Sequence, residues 1–201
     1  MHGTEYYEDA IARDPTLFLL PAQWRKTMRA MKWILRILSI LIILIVLSFV
    51  IGFALPANTK HTRTITLQQT PDAIFAVLAD VQKFPEWNRN MQKIEMLPPT
   101  GGKETTRQTF KGNMVMTIVT SESDPPKYLV RSMGDVGGPF VGNWTYEISP
   151  AADGSDVVLK EHSEIKNPFF RVMVYIFGPT KYMDEHLVDL AKRLGETATV
   201  R

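Results

Sequence analysis

The chemistry in this sequence is sparse, and its clearest candidate is Glu161, in the run VVLKEHSEI from 157 to 165. Strict alternation puts Glu161 on the same side of a strand as Val157, Leu159 and Ile165. A carboxylate held on such an apolar face titrates above its usual range and can act as an acid, a base or an anchor for a ligand. A one-residue bulge would instead turn it to water beside Lys160 and His162. Trp144 and Tyr146 alternate with Ile148 in GNWTYEISP, and Met114 and Met116 alternate with Ile118. Aromatic faces and adaptable thioethers, including Met133, suit a pocket for a hydrophobic molecule, but the same side chains also fill ordinary cores. Trp87, in FPEWN, is a candidate for the entrance of such a pocket or for a packing anchor beside a short helix.

Other chemistries find little support. An acid–base enzyme would draw on Glu161, His162 or Arg131, yet no spacing pairs these groups. His162 and His186 stand in no ligand spacing and read as surface residues. With no cysteine in the chain, thiolate metal sites, thiol nucleophiles and disulfides are excluded. There is no phosphate-binding glycine loop, nucleophile elbow or dinucleotide fingerprint, and the glycine-rich stretch 134–142 follows none of these patterns. Neither a metal nor a cofactor is therefore expected, and no catalytic residue is assigned. The net charge of +2 is small and gives no sign of a nucleic-acid surface.

The elements that must position these residues are legible from period and punctuation. Residues 62–68 alternate as a strand. Thr70 can cap a following helix, with Pro71 in its first turn and Ile74, Phe75, Val77 and Leu78 as its apolar stripe. Pro85 permits at most a second short helix. From Gln92 to Lys166 the spacing of turn residues suits six antiparallel strands, with Gly112-Asn113 and Asp153-Gly154 as the best-defined hairpin turns. Asn167 and Pro168 then open a helix that Gly178-Pro179 should break or kink. It resumes with Met183, Leu187, Leu190 and Leu194 on one face.

Upstream lies a segment that water would reject. From Ile37 to Leu55 there is no charged residue, and at about 1.5 Å per residue the run approaches the roughly 30 Å hydrocarbon thickness of a bilayer. It lacks the polar face that a core helix would keep. The expected organisation is a polar and basic tail over 1–30, a transmembrane helix over 33–55, a linker over 56–60 and a folded domain over 61–198. Arg25, Lys26, Arg29, Lys32 and Arg36 precede the span and only Lys60 and Arg63 follow closely, which places the N-terminus in the cytoplasm and the domain across the membrane. A cleaved signal peptide, cut after Gly52 and Ala54, is the competing reading, though the apolar run is longer than a usual signal core. Met28 and Met31 offer alternative starts. The basic residues before the span can also bind anionic lipid heads.

The stretches TITLQQTPDAIFAVLADVQKFPEWN, GNWTYEISP and EIKNPFFRVMVYIFGPTKYMDEHLVDL, with the element order they imply, resemble the START-like, or helix-grip, fold of the SRPBCC superfamily, which includes polyketide cyclase/dehydrase and lipid-transport proteins. The resemblance covers residues 60–194 and implies an α+β domain. A curved antiparallel sheet would wrap a long C-terminal helix and leave a cavity that takes a hydrophobic ligand. The resulting expectation is a membrane-tethered, non-catalytic binding module for a lipid-like molecule, with Trp144, Tyr146, Met114, Met116, Glu161 and Trp87 as cavity candidates. Its partners would be the bilayer and a hydrophobic small molecule, with no nucleic acid and no protein partner assigned. Two alternatives stay open: a cyclase- or dehydratase-like enzyme using the same cavity, and an interaction domain whose pocket has collapsed.

Overall fold

A computed structural model describes residues 22–134 and 140–201, those before 31 by backbone alone. Most of the expected tail, and residues 135–139 of the glycine-rich stretch 134–142, lie outside the described residues. Helix α1 (Ala22–Ala54) begins directly after Pro21, ahead of the expected start at 33. Its stretch Met31–Ala54 is long and apolar enough to cross a membrane. Residues up to Leu47 and from Ser48 onward form two units. In the first, every apolar side chain from Met31 to Leu47 is exposed, the opposite of what a core helix would show.

The second unit holds the folded domain. Strand β1 (Asn58–Leu67) starts inside the stretch read as a linker, because Asn58, Thr59 and Lys60 already pair with Glu164, Ser163 and His162. The connection from α1 is therefore shorter than sequence suggested. Helix α2 (Pro71–Ala79) starts at Thr70, whose hydroxyl accepts from the Ala73 amide, with Pro71 in the first turn. A single 3-10 turn (Val81–Lys83) and the short α3 (Phe84–Trp87) follow. Six strands come next: β2 (Met91–Thr100), β3 (Lys103–Phe110), β4 (Val115–Asp124), β5 (Tyr128–Met133), β6 (Phe140–Ala151) and β7 (Gly154–Ile165). The seven strands form one antiparallel sheet in the order β1-β7-β6-β5-β4-β3-β2.

The β3–β4 hairpin turns at Gly112-Asn113, both with positive φ (82° and 59°), as the pair's tolerance of the left-handed region predicts. Asn167 caps α4 (Pro168–Phe177) by accepting from the Phe170 amide. Gly178, at φ 93°, ends that helix, so the long C-terminal helix is broken as expected into α4 and α5 (Lys181–Arg193). Met183, Leu187 and Leu190 on α5 are fully buried against Ile65, Leu67, Ile148, Val157 and Leu159 of the sheet and against Ile74 and Leu78 of α2. This core closes one end of the space between sheet and α5. Toward α4 the space stays open.

Candidate functional site

That open space is a cavity of about 530 Å3, within the range typical of ligand sites. Strands β2 to β7, with β1 at one edge, supply one wall. Helices α3, α4 and α5 supply the other. Met114, Met116, Trp144, Tyr146 and Glu161 all line it, whereas Trp87 does not. The Trp87 ring lies edge-on to Phe84, 4.8 Å between centroids, and 5.3 Å from His186, so the candidate entrance residue is a packing anchor under α3. An open cavity of this size also removes the premise of a collapsed pocket.

Register explains why Glu161 points inward. It sits directly opposite Trp144 on β6 and His61 on β1, and all three line the cavity. No bulge interrupts β6–β7, so the alternation read from sequence holds through the strand. Glu161 is half-buried and accepts a hydrogen bond from the buried Ser163 hydroxyl.

Sequence reading missed the most organised polar group. His186, read as a surface residue, is 2 % exposed and projects from α5 into the cavity wall. The signal was present: Met183, His186, Leu187 and Leu190 follow the i, i+3, i+4, i+7 pattern of a buried helix face. Asn88 Nδ2 lies 3.0 Å from His186 Nδ1, and Tyr146 Oη lies 3.0 Å from Nε2. The Asn90 amide donates to Asn88 Oδ1 at 2.9 Å, which fixes the orientation of the Asn88 side-chain amide. Its NH2 therefore donates to Nδ1, so His186 carries its proton on Nε2 and donates it to Tyr146. Burial, with the positive charge of Arg131 adding to it, lowers the His186 pKa to about 3, so the ring is neutral. Burial pushes the Tyr146 phenol well above its usual value.

Arg131, on β5 directly opposite Trp144, is 4 % exposed and lines the same cavity. Its Nη2 donates to the Leu78 carbonyl at 2.6 Å, and its guanidinium carbon stands 4.9 Å from the centre of the Phe84 ring. Burial lowers its pKa, yet an arginine keeps its charge. Beneath α5 a second polar contact ties the helix down. The guanidinium of Arg89 pairs with the buried Asp189 at 2.6 Å, and the Arg89 amide donates to it as well. Burial alone would raise the Asp189 pKa, but the hydrogen bonds from Arg89 outweigh it and lower it. Among the described residues no group of three or more His, Cys, Asp or Glu is placed to hold a metal.

Two helix residues mark the mouth, because they line the cavity and also face outward: Phe177 is 61 % exposed and Tyr182 is 53 % exposed. Phe169, Tyr175 and Ile176 of α4 are exposed beside them. The N-terminal half of α4 meets the last turns of α1. Arg171 donates to the carbonyls of Gly52 and Leu55 (3.2 and 3.3 Å), and the rings of Phe49 and Phe169 lie 6.4 Å apart.

Residues 58–195 match the model of the family described as "Polyketide cyclase / dehydrase and lipid transport". The chain belongs to this family. Its domain is similar in fold to the aromatase/cyclase Zhui of a Streptomyces strain, at 14% identity and a TM-score of 0.55 over 69% of this chain and 93% of that one. It is also similar to the major latex-like protein 151 of Panax ginseng, at 13% identity and a TM-score of 0.54 over 69% and 96%. The di-domain aromatase/cyclase StfQ, of the steffimycin biosynthetic pathway, matches at 11% identity and a TM-score of 0.57 over 69% and 53%. This chain thus spans about half the length of StfQ, and likewise 48% of the di-domain protein BexL. At these identities the likeness is one of fold. No curated protein matches the sequence. Within the family's fold, the curved antiparallel sheet and α5 create the cavity, and this chain's own residues decide its chemistry.

Proposed function

We propose that the chain is a membrane-tethered module that holds an apolar small molecule in the cavity without transforming it. The observation that carries this reading is the position of the cavity mouth. Phe177 and Tyr182 form its rim on and just beyond α4, the helix whose first turns pack against the end of α1. If α1 spans a bilayer, the exposed aromatic and aliphatic side chains of α4 meet the headgroup region, where such residues are favoured. A ligand dissolved in the membrane would then reach the cavity without crossing water. The basic residues before the span favour a domain on the extracytoplasmic side.

Titration of the full chain in nanodiscs with the neutral fluorophore N-phenylnaphthylamine tests this reading, with empty discs as the blank. Saturable binding that weakens in a folded Trp144→Ala variant supports it. Unimpaired binding by that variant removes Trp144 from the site.

A second reading, a cyclase- or dehydratase-like enzyme, draws on one specific observation. The neutral His186 and the Tyr146 hydroxyl form a hydrogen-bonded pair at the cavity wall, a geometry that can pass a proton. Turnover of a bound compound that vanishes in Tyr146→Phe or Glu161→Gln would favour it over the holding module.

A further inference from the structure

Arg131 brings a positive charge into the domain that no carboxylate pairs with directly among the described residues, Glu104 attracting it only from beyond salt-bridge distance. Its Nε and Nη1 are buried and have no hydrogen-bond partner among the described residues. Only Nη2 is engaged, and its acceptor is a neutral carbonyl. A buried cation without a paired counter-charge is costly, and buried N–H groups left unpaired add to that cost. A ligand's negative charge at this place would offset that cost.

A second donor stands on the same face of the sheet. Leu129 pairs with Tyr146 and Arg131 with Trp144, so Arg131 and Tyr146 are diagonal neighbours across β5 and β6. Because His186 donates to Tyr146 Oη, the phenolic hydrogen is left over, and the hydroxyl makes no other hydrogen bond among the described residues. Asn88 and His186 thus hold Tyr146 with its O–H available as a donor.

We propose that Arg131 and Tyr146 form the polar end of the cavity and receive the carboxylate of an amphipathic monocarboxylic acid, whose apolar body fills the remainder. This inference rests on the holding function above and adds the class of molecule held. One guanidinium matches one negative charge, and charge-assisted bonds from Arg131 with a hydroxyl bond from Tyr146 satisfy a carboxylate's oxygens. A phosphate monoester would bring up to two negative charges to one buried cation, since the other cation of the lining, Lys181, is exposed at the start of α5, and Glu161 lies on the same wall, two strands from Arg131. The apolar body has Met116, Ile118, Phe170 and Met173 to rest against.

The test is displacement of N-phenylnaphthylamine from the full chain in phosphatidylcholine nanodiscs by dodecanoate, dodecanol and dodecyl phosphate, corrected for empty discs. Dodecanoate should displace the probe at a concentration lower by about tenfold or more than dodecanol, with dodecyl phosphate weaker than dodecanoate. Arg131→Met should bring dodecanoate and dodecanol to within about threefold of each other, and Tyr146→Phe should weaken dodecanoate severalfold more than it weakens dodecanol. Should Arg131→Met fail to fold, the wild-type ratio and Tyr146→Phe decide the matter. Equal displacement by dodecanol and dodecanoate in the wild type would overturn the inference while leaving the holding function intact. So would stronger displacement by dodecyl phosphate, or an undiminished preference in a folded Arg131→Met. A chain that binds neither the probe nor dodecanol would overturn the holding function itself.

Discussion

Tyr146 and His186 meet 3.0 Å apart at the cavity wall, one from strand β6 and one from the last helix, 40 positions apart in the chain. The contact joins sheet to helix through a neutral imidazole, and this has a consequence for pH. His186 titrates at about 3 in the folded chain and near 6.5 once unfolded. Its folded pKa is depressed, so the stability it confers is complete above about 6.5 and is lost as pH falls toward 3. Between pH 6 and 5 the unfolding free energy should drop by up to about 1.4 kcal/mol per unit from this group. Thermal unfolding of the full chain across that window, compared with His186→Gln, measures it. An equal slope in the variant would contradict the account.

Leu187 is fully buried in the main core, facing the sheet from α5. Leu187→Ala should destabilise the domain by about 2 to 5 kcal/mol, a large share of the stability of a domain of this size. An unchanged urea midpoint would mean that α5 does not close the core.

Gly52 shows how closely α4 meets the end of α1. A Cβ at this position would lie 2.1 Å from the Pro168 carbonyl oxygen. Gly52→Leu must force the two apart at a cost of about 1 to 3 kcal/mol. Hydrogen exchange at the amides of residues 171–177 should then accelerate by roughly tenfold. Unaltered protection would show that α4 does not depend on this contact.

Much of the fold was legible because period and punctuation act locally. Thr70 and Asn167 each start a helix through a side-chain cap and Gly178 ends one through its positive φ, and the alternation of Val157, Leu159 and Glu161 survived into the sheet because β6–β7 pairs without a bulge. The polar cluster was harder to read. Arg131, Tyr146 and His186 come from β5, β6 and α5 and Asn88 from the turn after α3, and nothing local brings them together. His186 was hidden by its acidic neighbours Asp184 and Glu185, although its helical spacing from Met183 and Leu190 pointed inward. Trp87 went the other way: its type suggested a ligand surface, but the short α3 turns it onto Phe84.

The basic residues before the apolar stretch of α1 predict an orientation that is open to a direct check. Protease added to intact spheroplasts should remove a C-terminal tag. Digestion only after lysis would reverse the topology, and a mature chain beginning after Ala54 would mark a cleaved signal peptide.

The central claim is that the cavity holds an apolar molecule, and native mass spectrometry of the full chain released from nanodiscs tests it most directly. Met116, on the cavity wall, offers the control, since Met116→Trp should fill the space the molecule needs. The account predicts a wild-type chain carrying one small apolar or amphipathic molecule and a folded Met116→Trp chain carrying none. An empty wild-type chain, or an equal load on the folded variant, would contradict it.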